Sequence, residues 1–339
     1  MNKTTYTFIF VGVISLYAIA LISYFIMNFS KPEKIVKRIV EQEISKKKEE
    51  IEDTNIKFKI INNLRNQIYK PEQVEKLEQV EKSISAENNS WNSWSYYLTD
   101  IDIEKIKKSD YDVVVLETFK GKIQFDENII DSLKNKKNNA IRKILAYAPL
   151  GQAESYRNYW KPEWNKNKPS WMGEKSNVWN GVYEIKNVLD EEWLAISYKM
   201  IDDYIENSYD GMMVSGLGFY KDKKDAALFI KTISTYAKNR SKNFKIFVQD
   251  AEELVSYKNF VDHVDGVVRQ SLYYEMLSGK RRSSSYVERT TKLLKELDDK
   301  GKLVFIVEYI DKKEWNKIKK TIEDNGFIGF YSSLKLNKI

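Results

Sequence analysis

Eight short apolar or β-branched runs, recurring from residue 94 to near the C-terminus, constrain this chain more tightly than any other feature. They read WSYYL at 94–98, VVVLET at 113–118, KILAYAPL at 143–150, GMMVS at 211–215, KIFVQD at 245–250, GVVRQSL at 266–272, LVFIVEY at 303–309 and FIGFYS at 327–332. Amphipathic stretches at 190–208, 221–239, 284–301 and 311–326 lie between them. Near-continuous apolar strands separated by helices imply parallel pairing with both faces of the sheet covered. Eight such units in about 250 residues predict an α/β fold of the (β/α)8 barrel type rather than an open doubly wound sheet. No GxGxxG follows the first strand, which argues against a dinucleotide site.

The first 90 residues have a different texture. Residues 5–29, TYTFIFVGVISLYAIALISYFIMNF, carry no charge and are long enough as a helix to cross a hydrocarbon core of about 30 Å. No small-residue cleavage site follows Asn28, so residues 1–30 are expected to be a retained signal anchor, with residues 5–29 contacting the membrane. From 31 to 90 the chain is rich in Lys, Glu, Ile and Gln and lacks glycine, as expected of a charged helical stalk interrupted at Pro71. The barrel domain is then 91–339. Lys31, Lys34, Lys37 and Arg38 after the span, against Lys3 before it, would by themselves keep the barrel in the cytoplasm. The sugar-binding features below argue for the opposite orientation, a single-pass protein with its barrel at the cell surface, and that is the orientation adopted.

Charge and cysteine content narrow the function classes. The 56 Lys+Arg and 49 Asp+Glu residues give a net charge of +7, but the two signs interleave almost everywhere. That is a solvated surface and not a nucleic-acid footprint. The densest basic runs are KKK at 46–48 and KRR at 280–282. With no cysteine there is neither a disulfide nor a thiolate metal site, and no metal or cofactor is expected.

A barrel presents its chemistry at the C-terminal ends of its strands. Standing there are Glu117, the Gly151-Gln152-Ala153-Glu154 block, Ser215, Gln249-Asp250, Gln270 and Glu308-Tyr309. The connection over 151–189 is unusually long and holds Trp160, Trp164, Trp171 and Trp179, half of the chain's eight tryptophans, with Tyr156 and Tyr159. Flat rings at a barrel mouth suit the faces of sugars; the plainer reading is a small satellite core capping the barrel. His263, the single histidine, precedes the sixth strand and falls at the opposite end from the chemistry.

The blocks ILAYAPLGQAESYRNYW, PSWMG, YDGMMVSGL, VDGVVRQSLYY and VFIVEY, in that order, resemble the barrel of glycoside hydrolase family 114, the endo-α-1,4-polygalactosaminidases and their bacterial and archaeal relatives. The resemblance runs from about Trp91 to the C-terminus. It implies hydrolysis of a galactosamine-containing polysaccharide by two carboxylates, and here the sequence departs. Ser215 stands where relatives end a DGVYLD-like strand in aspartate, and Gln270 stands where they place glutamate. Gln152 replaces an acid in the GEAE-like block. Glycoside hydrolysis needs one acid and one base or nucleophile, and neither serine nor glutamine can serve as either.

The expectation is therefore a barrel that engages an amino-sugar exopolysaccharide and is catalytically degenerate. The alternative is an active enzyme using relocated carboxylates, with Glu117, Asp250 and Glu308 as candidates, or a structural ion pair for each with Arg157 or Arg269. Sugar contacts are expected from Tyr147, Gln152, Glu154, Tyr156, Arg157, Trp160, Trp164, Trp171, Trp179, Tyr273 and Tyr309. A pure scaffold would leave the tryptophan-rich connection unexplained.

Overall fold

The computed structural model describes residues 91–121, 123–136, 140–218 and 220–336. The expected membrane span over 5–29 and stalk over 31–90 lie outside them. Among the described residues no helix is long and apolar enough to cross a membrane.

The order along the chain is β1 (Trp94–Tyr97), α1 (Ile103–Lys108), β2 (Val113–Leu116), a short hairpin β3 (Phe119–Lys120) and β4 (Ile123–Gln124), α2 (Glu127–Lys134) and β5 (Lys143–Ala148). Next come β6 (Gln152–Glu154), β7 (Met172–Lys175), β8 (Val182–Ile185), α3 (Glu191–Glu206), β9 (Gly211–Val214), α4 (Lys223–Arg240) and β10 (Lys245–Gln249). The chain closes with α5 (Lys258–Val261), β11 (Gly266–Gln270), α6 (Ser284–Asp299), β12 (Leu303–Glu308), α7 (Lys312–Asp324) and β13 (Ile328–Tyr331). All eight predicted strands and four predicted helices are present. The periodicity of the sequence does not announce β6, β7 and β8: the long connection folds into its own antiparallel sheet, ordered β6-β8-β7.

One eight-stranded sheet runs β1-β2-β5-β9-β10-β11-β12-β13, with every pairing parallel. Among the described residues, three bonds join its two outer strands and the segments that follow them. The Leu98 N–H donates to the Leu336 carbonyl at 3.0 Å, the Trp94 indole to the Ile328 carbonyl at 2.9 Å, and the Thr99 hydroxyl to the Lys335 carbonyl. The architecture is that of an eight-stranded α/β barrel.

The period of two along each strand divides the apolar residues between two cores. Trp94, Val115, Leu145, Met213, Phe247, Phe305 and Val307 fill the inside; Val114, Ile144, Met212, Val214, Ile246 and Ile306 face the helices. Trp91, Phe247, Phe305 and Trp94 stack across the lower barrel at centroid separations of 5.0–5.9 Å. Truncating such a fully buried ring costs roughly 3–5 kcal/mol, so this plug is a principal anchor of the interior.

Aspartates organise the strand and helix starts. Asp210 and Asp265, each just before a strand, accept the N–H of Ile144 and Ile246 on the neighbouring strand at 3.0 and 2.9 Å. The glycines that follow, Gly211 and Gly266, are needed because a Cβ would lie 2.4 Å from the Lys245 carbonyl oxygen or 2.5 Å from that of Leu303. Asp102, Asp126, Asp190, Asp222, Ser283 and Asp311 cap the six longer helices by accepting a first-turn N–H.

Candidate functional site

Parity along the strands decides which side chains reach the mouth. Val113 and Val115 point inward, so Glu117 does too; Met213 places Ser215 inward, Phe247 places Gln249, Val268 places Gln270 and Val307 places Tyr309. Tyr96 and Tyr147 form the layer beneath, with rings 6.2 Å apart. The Tyr96 hydroxyl donates to Gln249 Oε1 at 3.3 Å. Reading only the strand ends misses Tyr96, although its two-residue offset from Trp94 carries the signal.

The Gly151-Gln152 turn is clamped to the end of β9. The Gly151 N–H donates to the Ser215 carbonyl at 2.8 Å, and Gly216 adopts φ +88°, with the two glycines too close to admit a Cβ. This brings Gln152 and Glu154 beside Ser215. The Ser215 hydroxyl is buried against the Tyr147 phenol and has no hydrogen bond of normal geometry.

One guanidinium gathers two of the mouth's acids. Arg157 donates from Nη1 and Nη2 to the two oxygens of Glu117 at 2.6 and 2.8 Å, and from Nε to Glu154 at 2.7 Å. Gln152 Nε2 donates to the other Glu154 oxygen at 2.8 Å. Arg157 also lies 5.6–5.8 Å from the ring centres of Phe119, Tyr147 and Tyr156, a cation enclosed by aromatic faces. Burial opposes its charge, yet Glu117 and Glu154 outweigh that and hold its pKa well above the ordinary value. Burial pushes the Glu154 carboxyl upward against the pull of Arg157.

A second chain of bonds crosses the opposite side. The Tyr309 hydroxyl donates to Gln270 Oε1, and Gln270 Nε2 donates to Asp250 Oδ2 at 2.9 Å. Asp250 Oδ1 accepts the Gln270 N–H at 2.9 Å and lies 3.3 Å from Arg269, which also binds Glu252 at 3.0 Å. Strand parity alone would turn Asp250 outward. Its left-handed backbone, φ +52°, breaks the alternation and brings the carboxylate back to Gln270.

Glu308 requires a correction. Leu303, Phe305, Val307 and Tyr309 face inward, so Glu308 faces the helical layer and is fully buried there. It accepts the N–H groups of Tyr273 and Tyr274 at 2.8 and 3.3 Å, fastening the segment after β11. Burial raises its pKa to about 7 despite these bonds. Sealed from solvent, it offers no oxygen to a sugar. Tyr273, expected among the sugar contacts, is likewise buried.

The four tryptophans separate into two groups. Trp164 and Trp171 are buried and pack edge-on at 5.3 Å, with Trp171 in turn 4.8 Å from Trp193 of α3. These two are the satellite core and have no face to offer. Trp160 is half-buried against Tyr183, whereas Trp179 and Tyr156 are exposed, at 50% and 63%. Tyr156 lies 3.3 Å from the position a Cβ on Gly181 would take, beside the β7–β8 connection in which Trp179 also lies. His263 lies before β11, at the barrel's other end. Among the described residues no group of three or more His, Cys, Asp or Glu could hold a metal ion.

The comparisons with known proteins agree with this architecture. The family model of glycoside hydrolase family GH114 matches residues 75–339. The uncharacterized protein MJ1477 of Methanocaldococcus jannaschii is 29% identical over 282 residues, 78% of this chain and 77% of its own length. A Thermotoga maritima protein is 25% identical over 235 residues, 65% of this chain and 72% of its own. Among solved structures, the glycoside hydrolase domain of PelA from Pseudomonas aeruginosa superposes with a TM-score of 0.57 at 13% identity, over 73% of this chain and 96% of that one. Aspergillus fumigatus Ega3 in complex with galactosamine gives 0.55 at 17%, over 73% and 93%. At these identities the two structures speak for the shared fold. With the family model spanning the whole barrel and extending upstream of it, the chain belongs to glycoside hydrolase family 114.

Proposed function

We propose that this protein is a membrane-anchored family-114 barrel that holds a galactosamine-containing polysaccharide at the cell surface without cleaving it. The observation that carries the reading is the condition of the acids at the mouth. Ser215 and Gln270 occupy inward-facing strand ends where the family pattern has acids. Of the carboxylates that remain, Glu117 and Glu154 are tied to Arg157, and Asp250 is tied to Gln270 and Arg269. None is left as a free proton donor opposite a free base, which glycoside hydrolysis requires. Binding needs no such pair: Tyr156 and Trp179 offer exposed rings. The galactosamine found in the related Ega3 structure supports the choice of sugar. The anchor over 5–29 and the outward orientation complete the proposal.

The test compares the wild type with Ser215→Asp/Gln270→Glu on galactosamine oligosaccharides. The wild type is expected to bind them and release no reducing ends, since each missing acid or base costs roughly 10²–10⁴-fold. In the double variant the carboxylate introduced at position 270 would sit beside Asp250, and two carboxylates that close share a proton, which supplies a general acid. Measurable cleavage should appear. The competing reading, an active endo-α-1,4-polygalactosaminidase with relocated acids, is favoured by the convergence of Glu117 and Glu154 on one side of the mouth. Cleavage by the wild type that Glu117→Gln abolishes would establish it.

A further inference from the structure

The basic run at 280–282 acquires a setting in three dimensions that its sequence does not suggest. Tyr286, in the first turn of α6, is surrounded by three arginines: the guanidinium carbons of Arg269, Arg282 and Arg289 lie 5.8, 4.4 and 5.9 Å from its ring centre. Arg269 binds the Tyr286 hydroxyl and is neutralised by Asp250 and Glu252. Among the described residues Lys280, Arg281, Arg282 and Arg289 form no close ion pair, and the buried Glu308 carboxylate acts on Arg282 only at longer range. Arg282 is pre-organised: its Nε donates to the Ser271 carbonyl at 2.8 Å and its plane is held on the ring, leaving its two terminal nitrogens without a hydrogen bond among the described residues. A planar fork fixed in this way matches the oxygens of a carboxylate or phosphate. The first turn of α6 also contains no acid to oppose an incoming anion.

The cluster sits on the rim of the barrel mouth. Asp250 links Arg269 to Gln270, so the stacked arginines stand radially outside the site proposed for the sugar. A polymer crossing the mouth would pass over both. A run of ammonium-bearing sugars would be repelled at the rim, even though Glu117 and Asp250 could receive an amine within the mouth.

We infer that Arg282 and Arg289, carried on Tyr286 and assisted by Lys280 and Arg281, form a subsite for an anionic substituent, a carboxylate or a phosphate, on the polysaccharide that the barrel binds. The inference rests on the glycan-binding reading above and narrows its ligand to an amino-sugar polymer that also bears negative groups.

The experiment uses the full-length chain in a neutral detergent and three matched galactosamine oligosaccharides: free amine, N-acetylated and N-succinylated. Calorimetry of the wild type should show the succinylated form binding about tenfold more tightly than the acetylated one, with the advantage shrinking as salt rises. Arg282→Ala/Arg289→Ala should abolish that advantage and leave acetylated binding within about twofold. Exposed Arg289→Ala alone should remove part of it without disturbing the fold, and Arg282→Lys should keep the charge but lose most of the gain. Equal binding of succinylated and acetylated forms by the wild type would overturn the subsite while the glycan reading stood. If none of the three bound, both readings would fall. Saturable, Arg282-dependent binding of glycerol 1-phosphate with no succinyl advantage would assign the cluster to a lipid headgroup and overturn the proposal.

Discussion

Glu308 illustrates how one carboxylate near a strand end differs from another. Desolvation dominates its environment and raises its pKa from 4.5 to about 7, while the backbone N–H groups of Tyr273 and Tyr274 pull the other way. A raised carboxyl pKa means the folded protein holds a proton that the unfolded chain has released. The stabilising contribution is present in full below about pH 4.5 and is lost as pH rises towards 7, at up to about 1.4 kcal/mol per pH unit. Urea midpoints at pH 5, 6 and 7 should fall more steeply for the wild type than for Glu308→Gln, whose amide does not titrate. Identical slopes would mean that Glu308 is ionised throughout. Much of this is legible in the sequence, because counting by twos from Phe305 places Glu308 outward and Tyr309 inward. Asp250 is not legible there, since its position depends on a left-handed backbone that nothing in KIFVQD dictates.

At the scale of elements, the β6–β8 sheet is what converts a strand end into a mouth. Its inner face is anchored by Trp164 and Trp171 against Trp193, and its edge presents Gln152, Glu154 and Arg157. Trp171→Ala should therefore destabilise the barrel by roughly 3–5 kcal/mol and loosen the Arg157 pairing. Exposed Trp179→Ala should change stability by less than about 0.5 kcal/mol while weakening oligosaccharide binding. Thermal melts with parallel binding curves separate the two. If Trp179→Ala bound normally and Trp171→Ala melted like the wild type, the division into core and platform would be wrong. Composition marks a tryptophan-rich segment but does not divide it, because burial of Trp171 depends on Trp193, which lies on a helix beyond the connection.

For the whole molecule, the barrel owns a complete interior. The lower plug of Trp91, Trp94, Phe247 and Phe305, with the Leu98 and Trp94 bonds across the seam, lies wholly within residues 91–336. A chain lacking residues 1–30 should therefore fold and remain soluble without detergent. Circular dichroism and gel filtration would check this, and detergent-dependent aggregation would refute the proposed division of the chain. A protease added to intact cells should cut the full-length protein. Protection equal to that of a cytoplasmic control would reverse the proposed orientation, in line with the basic residues that follow the apolar span.

The sequence by itself determined the eight strands, their parallel order and the family, because hydrophobic periodicity and strand-helix alternation are local properties that survive without knowledge of the partners. Through the family resemblance it also singled out Ser215 and Gln270 as the strand ends proposed to have lost an acid. The tertiary structure decided which polar groups share the mouth, which tryptophans are core, and that Arg157 binds both Glu117 and Glu154. It likewise gathered Arg269, Arg282 and Arg289 around one tyrosine. These are contacts between residues distant in the chain, set by side-chain direction and by single backbone angles, and no spacing in the sequence encodes them.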